Sequence, residues 1–235
     1  MDEEKREHEA LVRELNNEEV REEYARPYND YKVGPVAGFL GWILVASGNL
    51  VYGKKPSYTK FKAVEVIARI PYQSWEVATY TLLTALYSNE KKAIELSKDA
   101  EFTRIAQDNE TMHVVVISQI VCNLGKQGLF RHILIPIVFA FFYFWTLYIL
   151  YLISPKSSME LNYLFESHAY KQYGEFLKNE GERLRSTPIC SDYLEFYGRN
   201  VNNEYELFES IRNDELIHRN RSIRHIEERA YNPFA

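Results

Sequence analysis

A chain of 235 residues, 46% apolar by residue, is long enough for one domain with a sizeable core and too apolar to be disordered. Its formal net charge of -5 leaves no electrostatic footprint for nucleic acid. Two cysteines, Cys122 and Cys190, form no CxxC pair, which excludes a disulfide framework and a sulfur-rich metal site; both read as reduced thiols, each an ordinary small core residue.

Residues 1–25 are dense in both charges and read as a charged N-terminal arm, either a solvated helix or a mobile extension. They hold no basic region followed by an apolar core, and they are too acidic for an organelle transit peptide. That pattern favours a bacterium-like cell or a phage-encoded gene over a nuclear-encoded plastid precursor. Residues 26–235 read as the single remaining domain.

Two uncharged apolar stretches follow, at 33–51 and 133–153. Their length fits a membrane span, a helix lying in one leaflet, or a buried core helix. Pro35, Gly34, Gly38 and Gly41 weaken the first as a long straight helix. Trp42, Trp145 and many tyrosines suit a membrane interface. The expectation is a membrane-associated protein that lies on the bilayer rather than crossing it.

The other segments carry helical periodicity. Tyr58–Tyr87 is one run interrupted at Pro71, and Ala93–Cys122 is a second. Ser158–Leu184 follows the Ser154-Pro155 break, and Glu204–Tyr231 ends before Pro233. Residues 186–198, with Pro188 and Gly198, read as a connector. No strand-rich segment, phosphate loop or GxSxG motif occurs, so the fold expected is all-α.

Four of these segments carry acids in an ordered way. Glu65 lies in FKAVEVIARIP and Glu166 in YLFESHAYKQY. Glu110 and His113 form one ExxH in DNETMHVVVI, and Glu215 and His218 form another in IRNDELIHR. Residues i and i+3 share a helix face, so each ExxH aims a carboxylate and an imidazole at one point. One ExxH alone is ordinary on a solvated helix. Two of them, plus a lone Glu from each of two further helices, match the ligand set of ferritin-like di-iron and di-manganese bundles. Carboxylates that bridge and balance charge, with neutral imidazoles, suit two iron ions.

Around those ligands the strings VEVIARIPY, NETMH, YLISP, FESHAYKQYGEFLK, PICSDY and IRNDELIHR resemble the alternative oxidase family. The likeness runs from about Arg26 to His225 and looks closest to the plastid terminal oxidase branch of plants, cyanobacteria and their phages. It implies a four-helix di-iron bundle with extra apolar helices that anchor it to one membrane leaflet, usually as a homodimer. The membrane would be a thylakoid or plasma membrane and the face cytoplasmic or stromal. The implied activity is quinol oxidation, from plastoquinol or ubiquinol, coupled to reduction of dioxygen to water without proton pumping.

By the same resemblance, Asn109 and Asp214 orient the ligand histidines and Tyr173 is a redox-active residue beside the metals; otherwise Tyr173 is a core tyrosine. Lys60, Val64, His168, Ala169 and Gln172 fall at quinone-contacting positions, where Ala169 has the residue type of the mitochondrial branch and Lys60, His168 and Gln172 do not. Competing readings are a di-iron quinone-biosynthetic hydroxylase, a ferritin-like metal store and a membrane interaction protein without enzymatic activity.

Overall fold

A computed structural model describes residues 2–125 and 128–228. Among the described residues the chain is helical from end to end: α1 (Asp2–Glu14), α2 (Glu18–Ala25), α3 (Pro35–Tyr52), α4 (Tyr58–Ala68), α5 (Ile70–Leu86), α6 (Glu90–Asn123), α7 (Ile135–Ile153), α8 (Pro155–Ser186), α9 (Asp192–Tyr197) and α10 (Glu204–Glu228). The all-α expectation holds. The end of the last helix as read from sequence, to Tyr231, and Pro233 lie outside the described residues.

Local chemistry sets the helix ends. Ser57 caps α4 by accepting from the Lys60 amide, and Asn89 caps α6 through the Lys92 amide. Ser154 does the same for α8, ahead of Pro155. The run from Tyr58 breaks at Arg69, because Pro71 has no N–H to give and its ring crowds the preceding turn. The connector contains one short helix, α9, which Gly198 ends at φ +92°, a conformation that favours glycine. That turn delivers Arg199 back to the bundle.

Helices α4, α6, α8 and α10 form a four-helix bundle, with α8 against α10 and α4 against α6. Helix α5 continues the α4 layer along α6. Phe61, Met112, Val116, Ile117, Tyr173, Phe176 and Phe208 fill one end of the bundle, and Tyr72, Trp75, Ala106, Tyr151 and Met159 fill the other.

Helices α3 and α7 lie against the outside of the bundle and are long and apolar enough to cross a membrane by length and composition. Their outer faces expose Phe39, Trp42, Leu50, Phe141, Phe142 and Ile153. Helix α3 runs unbroken through its glycines. Gly41 is where it touches α8: a Cβ there would stand 2.8 Å from Leu164 Cδ1.

Two readings from sequence change. The N-terminal charged segment is helical, but it is not simply solvated: His8, Val12 and Leu15 are buried, the apolar pair against Leu216 and Ile217 of α10. Cys122 and Cys190 are exposed rather than core residues, because both sit at element ends on the surface.

Candidate metal centre

The bundle brings Glu65, Glu110, His113, Glu166, Glu215 and His218 into one fully buried cluster. One group of ligand atoms comes from Glu65, Glu110, His113 and Glu215, and a second from Glu110, Glu166, Glu215 and His218. Glu110 and Glu215 belong to both groups. Each group lies within 4.8 Å, so the cluster has the form of two adjacent sites sharing two carboxylates.

These residues fit metal ions on their own chemistry. Glu65 Oε2, both oxygens of Glu110 and of Glu215, Glu166 Oε2, and the Nδ1 atoms of His113 and His218 are buried without a hydrogen-bond partner. Orphaned polar atoms inside a core are costly and need a ligand. His113 Nδ1 stands 3.4 Å from Glu65 Oε2, 3.4 Å from Glu110 Oε2 and 3.5 Å from Glu215 Oε1.

Charge makes the same point. Burial pushes the Glu65 carboxyl up to about 7. Burial, then repulsion from Glu110 and Glu166, holds Glu215 well above the usual range, and burial raises Glu166. Burial raises Glu110 too, but His113 and His218 outweigh it and draw that carboxyl down to about 2. Four carboxylates cannot all ionise in a dry core without cations.

Asp214 orients His113. Its Oδ2 lies 2.8 Å from His113 Nε2, and as a carboxylate it only accepts, so the ring gives its Nε2–H to Asp214 and turns Nδ1 to the cluster. Burial pushes the Asp214 carboxyl up, but Arg199, His113 and His8 more than compensate and hold it well below the usual range.

Asn109 is buried one residue before Glu110, yet its Nδ2 donates to Tyr197 Oη at 3.2 Å rather than to a histidine. Its Oδ1 and His218 Nε2 are both buried without partners. The Tyr197 phenol engages only the Nδ2 side of the amide, and the acceptor Oδ1 stays free.

Tyr173 donates to Glu65 Oε1 and stacks on Phe61 with ring centres 4.1 Å apart. Burial, reinforced by the Glu65 and Glu215 charges, raises its phenol well above the ordinary value. Sequence reasoning missed Tyr72, which donates to Glu166 Oε1 at 2.8 Å while accepting from Asn162 Nδ2 at 2.9 Å. It also missed Arg199. The signals were present, in the VEVIARIPY string and in the glycine just before Arg199.

The five positions expected to contact a quinone also gather. Lys60, Val64, His168 and Ala169 line one cavity between α3, α4, α7 and α8, of about 70 Å³. Lys60 Nζ donates to Gln172 Oε1 at 2.8 Å, to Asn49 Oδ1 at 3.1 Å and to the Lys54 carbonyl at 3.1 Å. All three of its donors are therefore engaged. Val64 and Phe165, in the cavity wall, are the chain neighbours of Glu65 and Glu166.

The alternative oxidase family model matches residues 14–225. Ubiquinol oxidase 4, chloroplastic/chromoplastic, of Arabidopsis thaliana is 26% identical over 183 residues, covering 69% of this chain and 49% of that protein. The chain thus spans about half the length of that curated relative. With the family model covering nearly all of the bundle and every residue of the buried cluster, this chain belongs to the alternative oxidase family.

Proposed function

We propose that the protein is a membrane-attached quinol oxidase that reduces dioxygen to water at a centre of two iron ions, without pumping protons. The observation that carries the reading is the pair of ligand groups sharing Glu110 and Glu215, set behind a cavity whose wall includes Val64 and Phe165. Glu65, Glu110, His113, Glu166, Glu215 and His218 would hold the two ions, with Glu110 and Glu215 belonging to both ligand groups. When bound, the irons supply the redox chemistry that accepts quinol electrons and delivers them to dioxygen.

The chain's own residues do the positioning. The outward apolar faces of α3 and α7 suit insertion into one leaflet, which brings the cavity between them to lipid depth. A quinol entering there meets His168. Burial, then Lys60 and Lys171, pushes that imidazole down, so it is neutral and able to accept a hydroxyl proton. Ala169 and Val64 give that cavity small apolar walls. Because Lys60 is fully engaged, its part is to hold Gln172 and Asn49 in place.

Tyr173 holds its phenol proton on Glu65 Oε1, so that this proton could move to the carboxylate if the loaded metal centre drew an electron from the ring, and Phe61 and Phe208 keep water from the phenol. Asp214 keeps His113 in the ligating tautomer, and Asn109 supports the same wall of the site through Tyr197. The family resemblance extends the proposal to a homodimer on a thylakoid or plasma membrane.

The test is oxygen uptake by membranes carrying the protein, supplied in turn with plastoquinol and ubiquinol. Quinol-dependent uptake that yields water and is abolished in Glu110→Ala and Glu215→Ala is expected. A hydroxylated quinone product, or uptake that survives either substitution, contradicts the proposal.

A further inference from the structure

Helix α1 carries a histidine into the back of the metal centre. His8 is 1% exposed and its Nε2 lies 2.8 Å from Asp214 Oδ1, on the opposite carboxylate oxygen from His113. Arg199 supplies the remaining donors: Nη2 reaches Oδ1 at 3.1 Å, and Nη1 pairs with Oδ2. Each oxygen of Asp214 therefore accepts twice, and the carboxylate has no freedom to rotate. The His8 ring also stands 5.8 Å from the ring of His218, so one side chain borders both ligand histidines, one directly and one through Asp214.

This placement is built by the whole helix. Lys5 Nζ donates to the Tyr197 carbonyl at 2.6 Å and sits 3.9 Å above that ring. Glu9 pairs with Arg199 at 2.5 Å, and the Val12 carbonyl accepts from Asn213 Nδ2 at 2.9 Å. Positions 5, 8, 9 and 12 form one face of a helix, so the charged segment docks by a defined stripe. A stripe needed only for packing would place an apolar side chain at position 8. A buried imidazole is costly unless its N–H is used, and here it is used on Asp214.

We propose that His8 is a positioning residue of the metal centre, fixing Asp214 so that Asp214 can fix His113. The inference rests on the metal-centre reading given above. His8 lies ahead of the residues that match the family model, 14–225.

The test is iron release from the full-length, iron-loaded chain into an excess of a ferrous chelator, alongside the melting temperature of each metal-free form. Wild type is compared with His8→Phe, which fills the space without a donor, and His8→Gln, whose amide restores one. Release roughly tenfold faster in His8→Phe, with near wild-type release in His8→Gln, is expected. Wild-type release from His8→Phe overturns the proposal. So does equally fast release from both variants, which would mark His8 as packing only. A wild-type chain that holds no iron after loading instead overturns the metal-centre reading beneath it.

Discussion

Tyr72 donates a 2.8 Å hydrogen bond to Glu166, and it does so from α5, the helix that starts afresh beyond the Pro71 break. Both lone glutamates of the cluster are thereby tied to a tyrosine, Glu166 to Tyr72 and Glu65 to Tyr173. The two phenols differ. Tyr173 is sandwiched among phenylalanines, whereas the Tyr72 oxygen also accepts from Asn162, and its ring lies 5.3 Å from His218.

That difference separates their substitutions. Tyr173→Phe is expected to cut quinol-dependent oxygen uptake at least about tenfold with iron content unchanged, since it removes the proton donor and keeps the packing. Tyr72→Phe is expected to cost about 1 kcal/mol of stability and only a few-fold of activity, because Asn162 still reaches Ser222 at 3.1 Å. Parallel measurements of uptake, iron content and melting decide; equal kinetic losses in the two variants contradict the assignment.

Arg199 is the counter-charge of a carboxylate with no access to water. Arg199→Leu leaves the buried Asp214 charge without its cationic partner, held only by His8 and His113, which is expected to cost about 3–5 kcal/mol and to lower the melting temperature by roughly 10 °C. Asp214→Asn in the same background should recover part of the loss. A melting temperature for Arg199→Leu within a degree or two of wild type would show that the pair does not hold the fold.

The fold and the ligand cluster were legible because both follow local rules. ExxH puts Glu110 beside His113 and Glu215 beside His218 on any helix, and proline and cap residues mark where α4, α6 and α8 begin. The partners around the ligands were not legible to the same degree. Asp214 is adjacent in sequence to Glu215, so a spacing argument reaches it. His8 and Arg199 reach Asp214 only through the docking of α1 and the left-handed turn at Gly198, and neither event has a periodic signature. The Tyr197 partner of Asn109 was equally hidden, because it depends on where the short helix α9 docks. The cysteines misled because a small apolar residue type says nothing about which face of an element it occupies.

His8 also gives the metal-free protein an acid limb. Burial lowers its imidazole from 6.5 to about 4, so between those values the unfolded chain binds the proton and the folded chain does not. Stability is therefore fully present above 6.5 and falls as pH drops toward 4, by up to about 3 kcal/mol. Phenylalanine does not titrate. The stability gap between wild type and His8→Phe should shrink steadily from pH 7.5 to 4.5, measured by thermal melts. A gap independent of pH contradicts the buried neutral imidazole.

The proposed membrane attachment through the outer faces of α3 and α7 predicts a loss of lipid binding without loss of fold. Trp42 is 68% exposed and Phe142 65% exposed, so glutamate at both should leave the bundle intact. Burying each aromatic in lipid is worth about 1.5–3 kcal/mol, so the double variant should partition into lipid vesicles more than tenfold less well. Co-sedimentation with vesicles measures this, and unchanged partitioning would place the membrane face elsewhere.

The central claim is that Glu110 and Glu215 each serve two metal positions at once. The most direct measurement is the iron content per chain of the purified, fully loaded protein. The shared-carboxylate arrangement predicts two irons per chain, lost together in Glu110→Ala. One iron per chain, or a chain free of iron, would contradict it.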